Sequence, residues 1–148
     1  MTSRDYTTTI QVDATPDEVF DAINDVRGWW AGEIEGETAQ VGAEFTYRYE
    51  NFHTSKQRVI ELVPGKKVVW RVLESQLNFV EHKDEWNGTR VEFEIAGKGV
   101  KAEIRFAHVG LVPEQECFEA CSNAWGFLIK TSLRAFIETG KGALKLDV

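Results

Sequence analysis

Glu114–Gly142 reads EQECFEACSNAWGFLIKTSLRAFIETGKG, and the reading of this stretch decides the fold. At 100° per residue, Cys117, Cys121, Ala124, Trp125, Leu128, Ser132, Ala135 and Phe136 share one face. Phe118 and Ile129 lie on its flank, while Glu119, Asn123, Gly126, Lys130 and Arg134 fall opposite. The spacing predicts one long amphipathic helix, with Pro113 at its first position and Glu114 and Glu116 in the positive first turn. Gly140 and Gly142 offer left-handed positions that end it. A helix of about 25 residues is about 38 Å long and needs a broad apolar partner along most of that length. The remaining chain reads mostly as strands, so the expected partner is a sheet.

Working outward, the period changes from helical to two. Tyr6, Thr8, Ile10 and Val12 alternate with Thr7, Thr9, Gln11 and Asp13, a strand pattern. Thr15-Pro16-Asp17-Glu18 is a capping box with proline at the first helical position; the helix it opens runs to about Asn24 and buries Val19, Phe20 and Ile23. Trp29-Trp30 between glycines fits neither period; the expectation is a short helical turn or loop with one ring inside.

Further strands are expected at Glu44 to Glu50, Gln57 to Val63, Lys66 to Leu73, Thr89 to Ala96 and Lys101 to Val109. Their inward rows are Phe45, Tyr47 and Tyr49; Ile60 and Leu62, with Arg58 sharing their parity; Val68, Trp70 and Val72; Val91, Phe93 and Ile95; and Ala102, Ile104, Phe106 and His108. Turns are expected at Asn51 to Ser55, at Pro64-Gly65 and at Gly97-Lys98-Gly99. A short strand is expected near Leu77 to Val80; Asn87-Gly88 reads equally as a two-residue hairpin turn or as the bulge, at Gly88, of one bent strand from Glu85, and the bend is the expectation taken. Each strand keeps one polar face, so helical cover on one side suffices. The 148 residues are expected to form a single domain of the α+β class, a curved antiparallel sheet of about six strands around the C-terminal helix.

Composition narrows function. A net charge of −7 argues against nucleic acid and anionic membrane surfaces. No apolar run approaches the roughly 18 residues of a membrane span, and Met1 to Asp5 has no apolar leader region. Cys117 and Cys121, four apart on one helix, read as reduced core thiols of a cytoplasmic protein. They lack the two-pair spacing of a zinc site, and neither a metal nor a cofactor is expected.

The element order, together with Val12-Asp13-Ala14-Thr15-Pro16-Asp17-Glu18-Val19-Phe20, Trp29-Trp30, Glu85-Trp86-Asn87-Gly88-Thr89 and Phe106 to Pro113, resembles the helix-grip fold of the START-like (SRPBCC, polyketide cyclase-like) superfamily. Ser122-Asn123-Ala124-Trp125 and Glu138-Thr139-Gly140-Lys141-Gly142 extend the likeness to the branch named after the activator of the heat-shock-protein ATPase. The resemblance implies a cavity between sheet and helix. Parity nominates its lining as Phe45, Tyr47, Tyr49, Trp70, Phe93, Phe106, Cys121, Trp125 and Leu128, with His108, Arg58 and Ser132 as polar candidates. The alternatives stay beside them: rings that fill an ordinary core, a histidine satisfied by backbone, an arginine solvated at the sheet edge, and a serine bonded back to its own helix.

Three functional readings follow. The first is a non-catalytic site for a small lipophilic or aromatic molecule. The second is a protein-interaction module, chaperone-linked by resemblance, presenting an apolar patch around Trp29 and Trp30. The third is a cyclase- or hydrolase-type enzyme using His108 with Tyr47, Tyr49 or Glu85. The expected assembly is a monomer or weak dimer.

Overall fold

The computed structural model describes residues 5–30, 32–50, 53–78, 80–81 and 83–142. Its strands are β1 (Tyr6–Val12), β2 (Glu33–Gly36), β3 (Glu44–Tyr49), β4 (His53–Val63), β5 (Lys67–Leu77), β6 (Arg90–Lys98) and β7 (Lys101–Val109). They form one seven-stranded antiparallel sheet in the order β1-β7-β6-β5-β4-β3-β2. Consecutive strands from β2 to β7 pair as hairpin neighbours, and β1 closes on β7 with Tyr6 opposite His108. The inward rows of β3, β5, β6 and β7 follow the alternation of the sequence, because a period of two sends every second side chain to the core.

Helix α1 (Pro16–Asn24) starts at the expected capping box: Glu18 N–H donates to Thr15 Oγ1 at 3.2 Å, and Thr15 N–H donates to Glu18 Oε1 at 3.0 Å. Val19 and Ile23 are buried and Phe20 is partly buried. A 3₁₀ turn over Val26–Gly28 follows. It delivers both Trp29 and Trp30 into the core, where the sequence predicts only one ring. Two adjacent rings can point inward because the tight turn departs from both regular periods. The expected exposed patch at Trp29 and Trp30 is therefore absent.

The C-terminal helix runs continuously for 22 residues as α2 (Phe118–Phe127), a π-helical segment (Leu128–Leu133) and α3 (Arg134–Thr139). It ends at Gly140 in the left-handed region at φ 82°, as the sequence predicts. Its start differs. Pro113, Glu114 and Glu116 lie in turns ahead of it rather than in its first turn. The N–H groups of Glu116 and Cys117 are instead received by the Glu85 carboxylate at 2.9 and 3.0 Å. The π segment places one more residue in its turns, so Leu128, Ile129, Ser132 and Leu133 are all buried, and the apolar stripe shifts from the predicted line.

Four further expectations need correction. β2 has no counterpart in the sequence reading; its four residues are too short for alternation to show. β4 begins at His53 rather than Gln57, so the expected turn narrows from the Ser55 side; Asn51 and Phe52 lie outside the described residues. Within β4 the inward residues are Ser55, Gln57 and Val59, while Arg58 and Ile60 face out, because a bulge at Ile60, between Val59 and Glu61, reverses the parity that the sequence carries back from Leu62. Finally, β5 runs to Leu77, and 83–88 form turns rather than a bent strand. Gly88, at φ 79°, donates its N–H to Val72 O at 2.8 Å. Of the short strand expected near Leu77 to Val80, Leu77 closes β5 and Phe79 lies outside the described residues. Among the described residues, no helix is long and apolar enough to cross a membrane.

Candidate functional site: a ring-lined interior between sheet and helix

Strand parity and the helix face bring most of the nominated residues together. Phe45, Tyr47, Trp70, Phe93, Phe106, His108, Cys121, Trp125, Leu128 and Ser132 are all buried in one interior, and Tyr49 is partly buried at its margin. The rings touch. Trp125 lies 4.6 Å from Phe106 and 5.1 Å from Trp30; Trp30 stacks on Tyr47 at 4.2 Å and on Trp70 at 5.8 Å; Phe93 bridges Trp70 and Phe106 at 5.2 and 5.1 Å. Trp86, on the 83–88 turn, stacks on Trp125 at 5.9 Å with planes 9° apart. All five tryptophans thus join one cluster. Trp29, Trp30 and Trp86 escaped the parity argument because loops carry them; their proximity to glycines was the signal available.

His108 is the polar centre of this interior, and its nitrogens are both occupied. Trp125 Nε1–H donates to His108 Nδ1 at 3.0 Å. That fixes the proton on Nε2, which donates to Thr89 Oγ1 at 2.8 Å, and Thr89 in turn donates to Trp86 O at 2.6 Å. The chain of bonds consumes every donor in sequence. Burial pushes the imidazole down to about 3, with repulsion from His53 adding to it and Asp5 opposing. A ring so held is neutral at pH 7 and has no nitrogen left for proton transfer. Glu85, the proposed carboxylate partner, spends both oxygens on the Glu116 and Cys117 N–H groups. Tyr47 is held protonated: burial, and then Tyr49, push its phenol upward. His108 and Glu85 are thus committed to structural hydrogen bonds rather than to the acid–base work of the enzymatic reading.

Two other nominations change role. Arg58 is exposed on the outer face and donates from both Nε and Nη2 to Glu44, at 3.1 and 2.5 Å. Ser132 is inside, but its hydroxyl goes to Trp29 O at 2.5 Å, 103 positions away, not to the helix carbonyl four residues earlier. It ties the π segment to the tryptophan pair. The Cys117 thiol is pushed up by its bond with the Cys121 thiol and by burial, the setting of inert core thiols.

A polar row appears where the sequence suggested apolar residues. His53, Ser55 and Gln57 follow one another on the inner side of β4, with Ser55 and Gln57 buried. Gln57 Nε2 reaches Ser55 Oγ at 3.4 Å, while Gln57 Oε1 has no partner. His53 Nε2, Trp70 Nε1 and Trp86 Nε1 are likewise buried without a hydrogen bond. The His53 ring meets Trp86 edge-on at 4.4 Å and Tyr47 at 5.1 Å. Burial pushes this imidazole, too, down to about 3. A separate open groove of about 760 Å³, between the start of α1, the β4–β5 turn and the end of β6, shares none of these rings.

A bent antiparallel sheet closed by a C-terminal helix over a ring-lined interior defines a helix-grip domain. The family model described as Activator of Hsp90 ATPase homolog 1-like protein matches residues 13–138, and the chain belongs to that family. Among solved structures, the chain is similar to the Aha1 dimer from Colwellia psychrerythraea, with 25% identity and a TM-score of 0.74 over 93% of this chain and 98% of that one. It is similar in fold to DynU16, from the dynemicin biosynthetic locus, at 16% identity and a TM-score of 0.72; the match takes in 95% of this chain and 49% of DynU16. CalU16 from Micromonospora echinospora shares the fold at 14% identity and a TM-score of 0.61, over 84% of this chain and 70% of that one. No curated protein matches.

Proposed function

We propose that this chain binds a small aromatic or lipophilic molecule in the interior between sheet and C-terminal helix, without catalysing its conversion. One observation carries the reading: four polar atoms, on His53, Gln57, Trp70 and Trp86, are buried among rings with no protein partner. Native interiors rarely leave such groups unmatched, and each unmatched group costs about 1–3 kcal/mol. A ligand carrying hydrogen-bonding atoms into the ring cluster would recover that cost. Entry is through the 83–88 turn, which carries the wall ring Trp86 outside any strand or helix and is tied to the segment ahead of α2 by Glu85. The reduced, buried thiols suit a cytoplasmic protein.

The test is a titration of the purified chain with a panel of aromatic and lipophilic compounds, read by tryptophan fluorescence and by amide chemical shifts. Saturable changes at Trp86, Trp125 and the inner row of β4 are expected. A panel that produces no saturable change would falsify the proposal.

The likeness to a protein solved as a dimer supports weak self-association as a second property of this chain. Sedimentation velocity over a hundredfold range of concentration should show the mean sedimentation coefficient rising; a constant monomer value sinks it.

A further inference from the structure

Among the described residues, the interior contains hydrogen-bonding capacity but no charged side chain. Every buried polar side chain among the described residues is neutral: Asn24, Thr38, Ser55, Gln57, Thr89, His108 and Ser132. No Asp, Glu, Lys or Arg is among them. Arg58, the one cation that the sequence aimed inward, is outside and paired with Glu44.

Of the seven buried side-chain atoms without a partner among the described residues, those of Asn24, Gln115 and Ser122 lie apart, and the four of His53, Gln57, Trp70 and Trp86 fall into two pairs. Gln57 Oε1 and Trp70 Nε1 belong to diagonal neighbours on one face, because Gln57 pairs with Val72 and Val59 pairs with Trp70. His53 Nε2 and Trp86 Nε1 belong to rings 4.4 Å apart. His53 and Gln57 are four positions apart on one strand, roughly 13 Å at the rise of an extended chain. The interior therefore has two polar poles, each offering an indole N–H beside an amide oxygen or an imidazole nitrogen, with Tyr47 and Trp30 among the rings around them.

We infer that the site selects an uncharged aromatic ligand bearing its own hydrogen-bonding group, and discriminates against the anionic analogue of the same size. This rests on the binding reading above and adds to it the charge and polarity of the ligand. The physical reason is an asymmetry. A hydroxyl or amide on an aromatic frame satisfies an indole N–H and Gln57 Oε1 and arrives with a small desolvation cost. A carboxylate must leave water for a space with no cation, and unpaired buried charge costs several kcal/mol even after relaxation. A purely apolar ring system gains contacts but leaves the polar atoms unmatched.

Three probes of one size separate these cases: 2-naphthol, naphthalene and 2-naphthoate, titrated at pH 7.5 into the intact chain by calorimetry and amide shifts. The expected order is naphthol tightest, naphthalene about tenfold weaker and naphthoate at least tenfold weaker than naphthol, the tenfold steps being about 1.4 kcal/mol. Gln57→Leu and Trp86→Phe, each checked for native circular dichroism, should narrow the naphthol-to-naphthalene ratio. Naphthoate binding as tightly as naphthol overturns the inference and leaves the binding reading standing. Naphthol and naphthalene binding equally also overturns it, since the unmatched atoms then hold water only. No saturation by any of the three removes the binding reading and this inference with it. The probe series on the unaltered chain decides the matter even where a variant fails to fold.

Discussion

His108 shows how a residue chosen for chemistry is spent on architecture. Its Nδ1 accepts from Trp125 on the helix, and its Nε2 donates to Thr89 just ahead of β6, so one imidazole couples helix to sheet. The cost is that it must stay neutral, and His53 carries the same constraint, both being pushed by burial to about 3. In the unfolded chain each titrates near 6.5. Between about 6.5 and 3 the unfolded state therefore binds more protons, and the sign follows: stability is full above about pH 6.5 and falls as pH drops. Two such groups give a slope of up to about 2.7 kcal/mol per pH unit. Urea unfolding at pH 7.5, 6.0 and 5.0 should show the midpoint falling with pH, starting before carboxylates titrate. In the His108→Gln, His53→Gln double variant, the decline over that range should flatten. An unaltered protein whose midpoint is level from pH 7.5 to 5.0 contradicts the burial of two neutral imidazoles. The inward parity of His108 was legible from its spacing with Ile104 and Phe106. Its partners were not, because Thr89 and Trp125 are brought to it only by tertiary contact.

Elements with sustained period were readable and those broken by local geometry were not. β7, with Ala102, Ile104, Phe106 and His108 buried in alternation, needs nothing beyond period two. β4 carries the same kind of pattern on paper, but one bulge at Ile60 changes which residues face in, and no sequence rule locates a bulge without a glycine to mark it. The π segment is a similar case: Leu128, Ile129, Ser132 and Leu133 fit an α-helix until Ser132 is seen bonded to Trp29 O. This join between the helix and the Trp29-Trp30 turn is tight. A Cβ at Gly28 would lie 2.3 Å from the Phe136 ring. Gly28→Ala should therefore destabilise the protein by about 1–3 kcal/mol through overpacking. Phe136→Leu in the same chain should recover part of that loss, since the smaller side chain vacates the contact. Chemical denaturation of the two single variants and the double variant measures the coupling. Strictly additive losses would show that Gly28 and Phe136 do not meet.

At the scale of the molecule, β1 and the C-terminal helix, 125 positions apart at their join, are stitched into one body. β1 pairs with β7 along its whole length, from Tyr6 opposite His108 to Val12 opposite Ala102. Asp13 N–H donates to Glu138 Oε2 at 2.9 Å, across 125 positions, and Gly110 N–H donates to Asp5 Oδ1 at 2.9 Å. The buried residues form a single apolar cluster reaching from Ile10 to Leu133. A core this continuous has no seam at which part of the sheet could open while the rest stays packed, so we propose that residues 1–148 unfold as one unit. The five tryptophans, carried by the two inner loops, β5 and the helix, report on the interior; far-ultraviolet circular dichroism reports on sheet and helix together. Urea curves from the two signals should share one midpoint and one slope, as two-state unfolding requires. If the helix were a separable cover, tryptophan fluorescence would change at lower urea than the sheet signal. Two resolved midpoints would then divide the chain into a sheet unit and a helix unit, and the site between them would be an interface rather than a core.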